Sequence, residues 1–469
     1  MPLNAAEILV ALGGRGGPPL RVRLTMALRD AIRRGQLVAG TTLPSSRVLA
    51  RDLGISRGVV VEAYAQLAAE GFVLSRKGAG TTVARLPSIT GWTAAPPPPL
   101  PPTTSTAIDL RPAMPDLSFF PRRAWGAAIR QAIATMPTSG LGYVEPWGTH
   151  AARNEVAQYL ARVRGAMTSA DGLLIVHGVT QGIALLARVL QRLGHSAIAV
   201  EDPSNALQRH HLRGAGLQVI DVPVDEHGLR VELLAQSGAR AVICTPAHQY
   251  PTGAILPAER RDQLCQWAQD AQGLIVEDDY DAEFRYGHDP VGCLQGLDPG
   301  HVALLGSVSK TLAPGLRLGW LAPPAHLLEV LRAEKSHADY GGDAFQQYAL
   351  TDFIASGAYD RQLRAVRRRY ALRRAAFVAA LQARLPGWQV MGSAGGLHVT
   401  VLLPEELPEN QLVEAARAVG VEVLGAATMS GTYRYPPALV LSYAASTTGM
   451  LEDAASRLAH AADVVRTCG

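Results

Sequence analysis

A proline run, Pro96-Pro-Pro-Pro99 and Pro101-Pro102, followed by Thr and Ser to Thr106, constrains this 469-residue chain more than any other stretch. Proline has no backbone N–H and a locked φ, so neither a helix interior nor a central strand can pass through it. The stretch carries no charge and almost no large apolar side chain, and so cannot nucleate a core. It predicts an extended, semi-rigid spacer of about 3 Å per residue; a ligand for a proline-binding partner is the other reading. The chain therefore divides into a head (1–85), a linker (86–107) and a body (108–469), in keeping with a length above what one core usually holds.

The charge divides at the same place. Net charge is only +4, yet residues 1–85 hold twelve Lys/Arg against five Asp/Glu, leaving 32 basic and 35 acidic residues elsewhere. A small basic segment on a slightly acidic body is the pattern of a nucleic-acid module fused to something else, with a merely solvated basic face as the plainer reading. No run of about 18 uncharged apolar residues occurs, and the N-terminus lacks a basic segment followed by an apolar one, so neither a membrane span nor secretion is expected. Cys244, Cys265, Cys293 and Cys468 show no CxxC pair or metal-ligand spacing, as in a reduced cytoplasm, and no metal site is expected.

In the head, apolar residues Val22, Met26, Ala27 and Ile32 recur at helical spacing from Leu20 to Arg34, and Gly35 ends the pattern. Leu43 to Leu53 reads as a second helix with Ser45 as N-cap and Gly54 as its stop. Ser56 opens a third, with Val59, Val60, Ala63, Leu67 and Ala68 facing inward and Gly71 at the exit. Phe72–Ser75 and Thr81–Val83, joined across Arg76 to Gly80, predict a β-hairpin. Helix-turn-helix followed by a hairpin is a winged helix, whose second helix enters the major groove. The spellings Leu-Pro-Ser-Ser-Arg47, Leu-Gly-Ile-Ser-Arg57, Glu70-Gly71 and Arg-Lys-Gly-Ala-Gly-Thr81 resemble the winged-helix domain of GntR-type bacterial regulators. The resemblance implies that Arg47, Ser56 and Arg57 reach double-stranded DNA at two helix N-termini, with Lys77 and Gly78 at the wing tip. Gly58 stands where the family usually carries a polar side chain, which shifts weight toward readout of DNA shape.

The body alternates strand-like runs (Leu173–Val176, Ala197–Val200, Val219–Val222, Ala241–Cys244, Leu274–Val276, Val302–Leu305) with helical stretches (Gly182–Leu193, Glu259–Ala271). That alternation predicts β/α units around a mostly parallel sheet. After about residue 351 an Arg-rich helix leads into a smaller α+β piece. The helix carries Leu363, Val366, Tyr370 and Leu372 as its apolar residues, and its arginines are either a solvated face or a second DNA or interdomain surface. Chemistry gathers in the loops. Ser307-Val-Ser309-Lys310 with Arg317 places one lysine, the side chain that forms Schiff bases, among groups suited to a phosphate. Gly178-Val179-Thr180 opens a helix, where backbone N–H groups favour an anion, though a plain strand-to-helix turn is the alternative. Asp278 and Tyr280 follow another strand; an acid there can keep a pyridine nitrogen protonated and a phenol can meet a ring hydroxyl, unless the pair is an ordinary loop end.

In this order and spacing the body resembles fold-type I aminotransferases. The spellings Tyr143-Val-Glu-Pro-Trp-Gly148, Glu201-Asp-Pro203, Thr245-Pro-Ala-His-Gln-Tyr-Pro-Thr-Gly253, Glu277-Asp-Asp-Tyr-Asp-Ala-Glu283 and Ser309-Lys-Thr-Leu-Ala-Pro-Gly-Leu-Arg317 look like the MocR subfamily of GntR regulators, in which a winged helix is fused to an aminotransferase-like sensor. The resemblance implies pyridoxal 5'-phosphate attached to Lys310, Asp278 at the pyridine nitrogen and Tyr280 at the ring hydroxyl. Gly178, Val179, Thr180, Ser307, Ser309 and Arg317 would surround the phosphate. It also implies a homodimer. Two positions depart from the enzymes: Asn205 where an aromatic ring stacks on the cofactor, and Val440 where an arginine grips the substrate carboxylate. A valine cannot bind a carboxylate; Arg434 nearby is a candidate substitute. The expectation is a cytoplasmic regulator sensing pyridoxal phosphate or an amino compound rather than a catalyst. A working aminotransferase with an accessory DNA-binding head, or a body without cofactor, are the rivals.

Overall fold

The computed structural model describes residues 17–76, 80–85, 107–112, 114–286, 291–392 and 395–468. Lys77, Gly78 and the expected spacer over 86–106 lie outside them. Two compact units are present, Met1–Pro101 and Pro102–Gly469.

Among the described residues the head is built on three helices, α1 (Leu20–Arg33), α2 (Ser46–Asp52) and α3 (Arg57–Ala69), and a three-stranded sheet. Strands β2 (Val73–Arg76) and β3 (Gly80–Val83) pair antiparallel, and β1 (Thr42–Leu43), which no periodicity announced, adds to the outer edge of β3. Ser45 caps α2, its side chain accepting from the Val48 N–H. Ser56 occupies the N-cap position of α3 without making a side-chain cap bond. The buried stripe of α1 is Leu24, Thr25, Leu28 and Ile32 rather than the Val22–Met26 line, and Met26 is exposed. Both lines have helical spacing, and only packing against α3 chooses between them. On α3, Val60, Ala63, Tyr64 and Leu67 are buried, and the Tyr64 hydroxyl donates to the Pro44 carbonyl at 2.9 Å, tying α3 to the entry of α2.

The second unit holds an eight-stranded sheet of β4 (Leu174–Val176), β5 (Ala197–Asp202), β6 (Gln218–Asp225), β7 (Gly228–Leu229), β8 (Ala241–Cys244), β9 (Leu274–Asp279), β10 (Val302–Ser307) and β11 (Gly319–Ala322). Their order is β4-β11-β10-β9-β8-β5-β6-β7. The strands from β10 across to β6 run parallel, whereas β11 is antiparallel to both β10 and β4, and β7 to β6. Parallel strands buried on both faces read as continuous apolar runs, which is why these were visible in the sequence. Helix α4 (Val179–Arg192) begins directly after β4, and α5 (Ala206–Gly214) soon after β5.

The long helix α6 (Ala358–Arg384) leads to a four-stranded antiparallel sheet of β12 (Gln389–Met391), β13 (His398–Leu402), β14 (Leu424–Gly425) and β15 (Ala438–Ser442), backed by α7 (Thr448–Cys468). Helix α6 buries Tyr359, Leu363, Val366, Tyr370, Phe377 and Leu381, while Leu372 is exposed. Several of its arginines are structural. Arg367 donates to the Glu283 carbonyl, Arg373 pairs with Asp116, and Arg369 lies over the Phe119 ring at 4.3 Å. Cys244, Cys265 and Cys293 are buried free thiols, and none of the described helices is long and apolar enough to cross a membrane.

Candidate cofactor pocket

Parallel strands deliver their following loops to one edge, so the crevice beyond their C-terminal ends is where an α/β sheet gathers polar groups. Here that crevice is a cavity of about 230 Å³. Glu201 is the penultimate residue of β5, Thr245 follows β8, Asp278 and Tyr280 come from the end of β9, and Ser307, Ser309 and Lys310 from the end of β10; all line the cavity, with Val179 and Thr180 from α4. Asn205, Leu207, Gln208 and His211 enter from α5 and its approach, Tyr250 from the loop after Thr245, and Leu397, His398 and Ser442 from the small sheet. Of the cofactor residues expected from sequence, all but Gly178 line this cavity.

Gly178 sits directly behind. At φ +79° a side chain there would be strained, and a Cβ would stand 3.2 Å from the Arg317 guanidinium. Arg317, itself at φ 51°, is held by donating to the His177 carbonyl. The guanidinium is thereby fixed beside the first turn of α4, whose leading N–H groups have no helical acceptor. Ser307 is buried, and its Oγ accepts from the Ser309 N–H at 3.3 Å. A guanidinium, two hydroxyl side chains and a helix N-terminus make a donor set suited to a phosphate dianion.

Asp278 supplies the opposite chemistry. Its Oδ2 accepts from Gln208 Nε2 at 3.4 Å, but its Oδ1 is closed off from solvent with no hydrogen-bond partner. A buried carboxylate oxygen left unmatched calls for a donor in the cavity, and a protonated ring nitrogen is one. Burial, reinforced by the Asp279 charge and opposed by Lys310, pushes Asp278 up to about 7. Burial likewise lowers the Lys310 amine, against the pull of Asp281 and Asp278, which favours the neutral nucleophilic form. Lysine, phosphate cradle and unmatched acid in one cavity fit pyridoxal phosphate.

Several lining groups escaped sequence reasoning. Glu201, nearly fully buried, accepts from the Thr245 N–H and hydroxyl (3.1 and 2.6 Å) and from Gln249. It stands inside the quoted Glu-Asp-Pro spelling, so a signal existed. His398 and Ser442 had none, because they reach the cavity only through their pairing across β13 and β15. Val440 is fully buried in an apolar cluster with Ala426, Met429 and Ala438. Arg434 lines a different cleft, with Asp225, Glu226 and Tyr433, so it does not replace the missing arginine in this cavity.

Residues 114–458 match aminotransferase class I and II, and residues 20–83 match the bacterial regulatory proteins of the gntR family. The chain is 34% identical over 427 residues to the HTH-type pyridoxine biosynthesis transcriptional regulator PdxR of Corynebacterium glutamicum, covering 89% of this chain and 90% of that protein. It is 31% identical over 422 residues to the probable rhizopine catabolism regulatory protein MocR of Rhizobium meliloti, covering 86% and 85%. The chain belongs to the MocR subfamily of GntR-type transcriptional regulators. Among solved structures, the multiple substrate aminotransferase of Thermococcus profundus superposes with a TM-score of 0.72 at 25% identity, over 78% of this chain and 94% of that one. This MocR-type regulator thus joins a DNA-binding GntR head to a fold-type I aminotransferase domain that binds pyridoxal phosphate.

Proposed function

We propose that this MocR-type regulator holds pyridoxal phosphate on Lys310 and uses the pocket as a sensor for pyridoxal phosphate itself or for an amino compound. The observation that carries the reading is the buried, unpartnered Oδ1 of Asp278 in the same cavity as Lys310. Asp278 holds the ring-nitrogen proton, Tyr280 meets the ring hydroxyl, and Val179, Thr180, Ser307, Ser309 and Arg317 bind the phosphate, with Gly178 making room for the guanidinium. When bound, the cofactor offers a carbonyl carbon that exchanges between the lysine and a ligand's primary amine. Among the described lining residues Lys310 and Arg317 are the only lysine and arginine, and Arg317 is committed near Gly178. An effector carboxylate therefore finds no guanidinium beside Val440, which favours pyridoxal phosphate itself or an amine whose acid, if any, is remote from the reacting carbon.

In the head, Arg47, Ser56 and Arg57 are exposed, at the N-terminal ends of α2 and α3, as contacts to DNA phosphates and base edges require; Lys77 and Gly78 complete the contact at the wing. The protein acts as a cytoplasmic homodimer, and effector binding shifts DNA affinity through a population change between domain arrangements, which requires different affinities for the two states. The test is an absorbance spectrum between about 300 and 500 nm of protein titrated with pyridoxal phosphate, then with a panel of amines, followed by borohydride reduction and peptide mapping. A visible band fixed by borohydride on Lys310 and lost in Lys310→Ala is expected. A cofactor fixed on another lysine, or no band, overturns the assignment.

A further inference from the structure

The helix Arg122–Thr135 turns Trp125, Ala128 and Ala132 inward, with the Trp125 ring edge-on to Phe353 at 5.4 Å. At about 100° per residue the opposite line is Arg123, Ala127 and Arg130, and Arg122 stands beside it. The three arginines are exposed and line one open hollow with Ala124 and Ala127. Among the described residues none of the three has a hydrogen-bond or ion-pair partner. Arg122 and Arg123 occupy the first turn, which holds no acid and no side-chain cap. The helix dipole makes that end positive, so two further positive charges there lower the stability of the fold rather than raise it. An anion supplied from outside the chain would reverse the sign of that effect.

The surface continues onto α6. Phe120 packs against Trp125 at 6.2 Å between ring centroids, and the Phe119 carbonyl accepts from Gln362 of α6 at 2.7 Å while its ring lies under Arg369. Arg369 is exposed, and so are Arg368 beside it and Arg364 one turn back, the last two again without a partner among the described residues. Residues 117–135 and 361–384 together hold eleven arginines and no aspartate or glutamate. Arg367 and Arg373 are engaged with the Glu283 carbonyl and Asp116, but the exposed ones have no such task. Outside the head the chain has 32 basic and 35 acidic residues, so about a third of its positive charge is gathered on two segments that carry no negative charge.

We propose that this arginine surface is a second contact to double-stranded DNA, one that grips the phosphate backbone without reading bases. The chemistry selects the partner. Duplex DNA carries one negative charge per about 1.7 Å of its axis, and a guanidinium fork meets phosphate oxygens bidentately, so a surface of unpaired arginines without a single lysine is suited to it. A second copy of this chain is the wrong occupant, because about a two-fold axis each positive surface would meet itself. The surface adds affinity and salt dependence but no sequence preference, which stays with the head. None of these residues lines the cofactor cavity, so the inference does not depend on the cofactor reading.

Fluorescence anisotropy of the full-length protein on a mixed-sequence duplex of about 60 base pairs, at salt from about 50 to 200 mM, tests it. The triple variant Arg122→Ala, Arg123→Ala, Arg130→Ala should lower the slope of log affinity against log salt by about 2 to 3, at about 0.9 per phosphate contact. Adding Arg364→Ala and Arg368→Ala should remove about 1 to 2 more. Lysine at the same three positions keeps the charges and should hold the slope within about 0.5 of wild type. Removing three exposed arginines elsewhere on this unit, Arg188, Arg213 and Arg434, changes net charge equally and should move the slope by less than about 0.5. The alanine triple variant should melt no lower than wild type, since the helix end loses charges it disfavours. A wild-type slope in that variant overturns the proposal, as does an equal loss in the control, which would leave only overall charge. So does a folded lysine variant as impaired as the alanine one. A melting temperature lowered by more than about 5 °C in the alanine variant would make the arginines structural and is equally fatal. Wild-type protein that binds no duplex overturns it outright.

Discussion

Single residues separate the two activities of this chain. Arg57 starts α3 on the exposed side of the head, its Nε within 3.4 Å of Ser46 Oγ, and it contributes to none of the buried clusters. Arg57→Ala should therefore abolish specific operator binding in a footprinting assay while the cofactor spectrum stays as in wild type; retained footprints would remove Arg57 from the DNA surface. Val440 poses the converse question. It is buried among Tyr250, Met429 and Ala438, where the resemblance to the enzymes leads one to expect an arginine that grips a carboxylate. Val440→Arg should raise the rate at which α-amino acids exchange onto the bound cofactor, read by the change in its visible band, at a stability cost of about 1–3 kcal/mol for overpacking. An unchanged exchange rate in folded protein would mean that the carboxylate is held elsewhere.

At the scale of elements, the cavity depends on how the small-sheet segment is clasped to the large sheet. Asp202 at the end of β5 accepts from the N–H groups of Gly431 and Tyr433, and Asp221 on β6 accepts from the N–H and hydroxyl of Thr432. Arg209 on α5 joins the two acids, reaching Asp202 at 3.0 Å and Asp221 at 3.4 Å while donating to the Met429 and Glu201 carbonyls. All three side chains are almost completely buried. Arg209→Met would leave two carboxylates without their cation, and removing one partner of a buried ion pair costs about 3–5 kcal/mol. Thermal unfolding should show the second unit destabilised by that amount; a loss below about 1 kcal/mol would mean that water readily replaces the guanidinium. The polar signal was present in the sequence only as scattered acids, since no local spacing connects Arg209 with Thr432.

Over the whole molecule, four buried carboxyl groups, Glu201, Glu277, Asp278 and Glu283, are raised from their ordinary range, and this sets a pH dependence. Burial, opposed by hydrogen bonds from Thr245 and Gln249, raises Glu201 from 4.5 to about 7; burial and the Asp279 charge raise Asp278 from 3.8 to about 7. Between those limits the folded chain holds protons that the unfolded chain has released, so their contribution to stability is lost as pH rises through the window. His398 works the other way. Burial pushes it from 6.5 to about 4, so below 6.5 the unfolded chain takes up a proton the fold refuses, and stability falls as pH drops. Lys310, also lowered by burial, works with His398, but Glu277 and Glu283 are raised as well, burial being the main cause, and the four acids prevail. Cofactor-free protein should melt at a lower temperature at pH 8 than at pH 6, and Glu201→Gln should flatten the difference; a melting temperature that rises over this interval would contradict the balance.

Much of this architecture was legible because it is written locally. The Ser45 cap, the glycine stops at Gly54 and Gly71, the apolar runs of the parallel strands, and the lysine, acid and glycine turns that follow strands all depend on residues within a few positions of one another, where spacing reports backbone geometry directly. Those turns lead to one crevice once a parallel sheet is inferred, and hence to the pocket residues from Gly178 to Arg317. Tertiary structure decided the rest. It inserted β11 antiparallel between β4 and β10, selected Leu24 and Leu28 over Met26 as the buried line of α1, sent Arg434 to another cleft, and brought His398 and Ser442 to the cavity from more than 80 residues beyond Lys310. Strand order, sheet register and the choice between two equally periodic faces are settled by which surfaces bury most apolar area together and which polar groups find partners. That is a property of the assembled chain, not of any window along it.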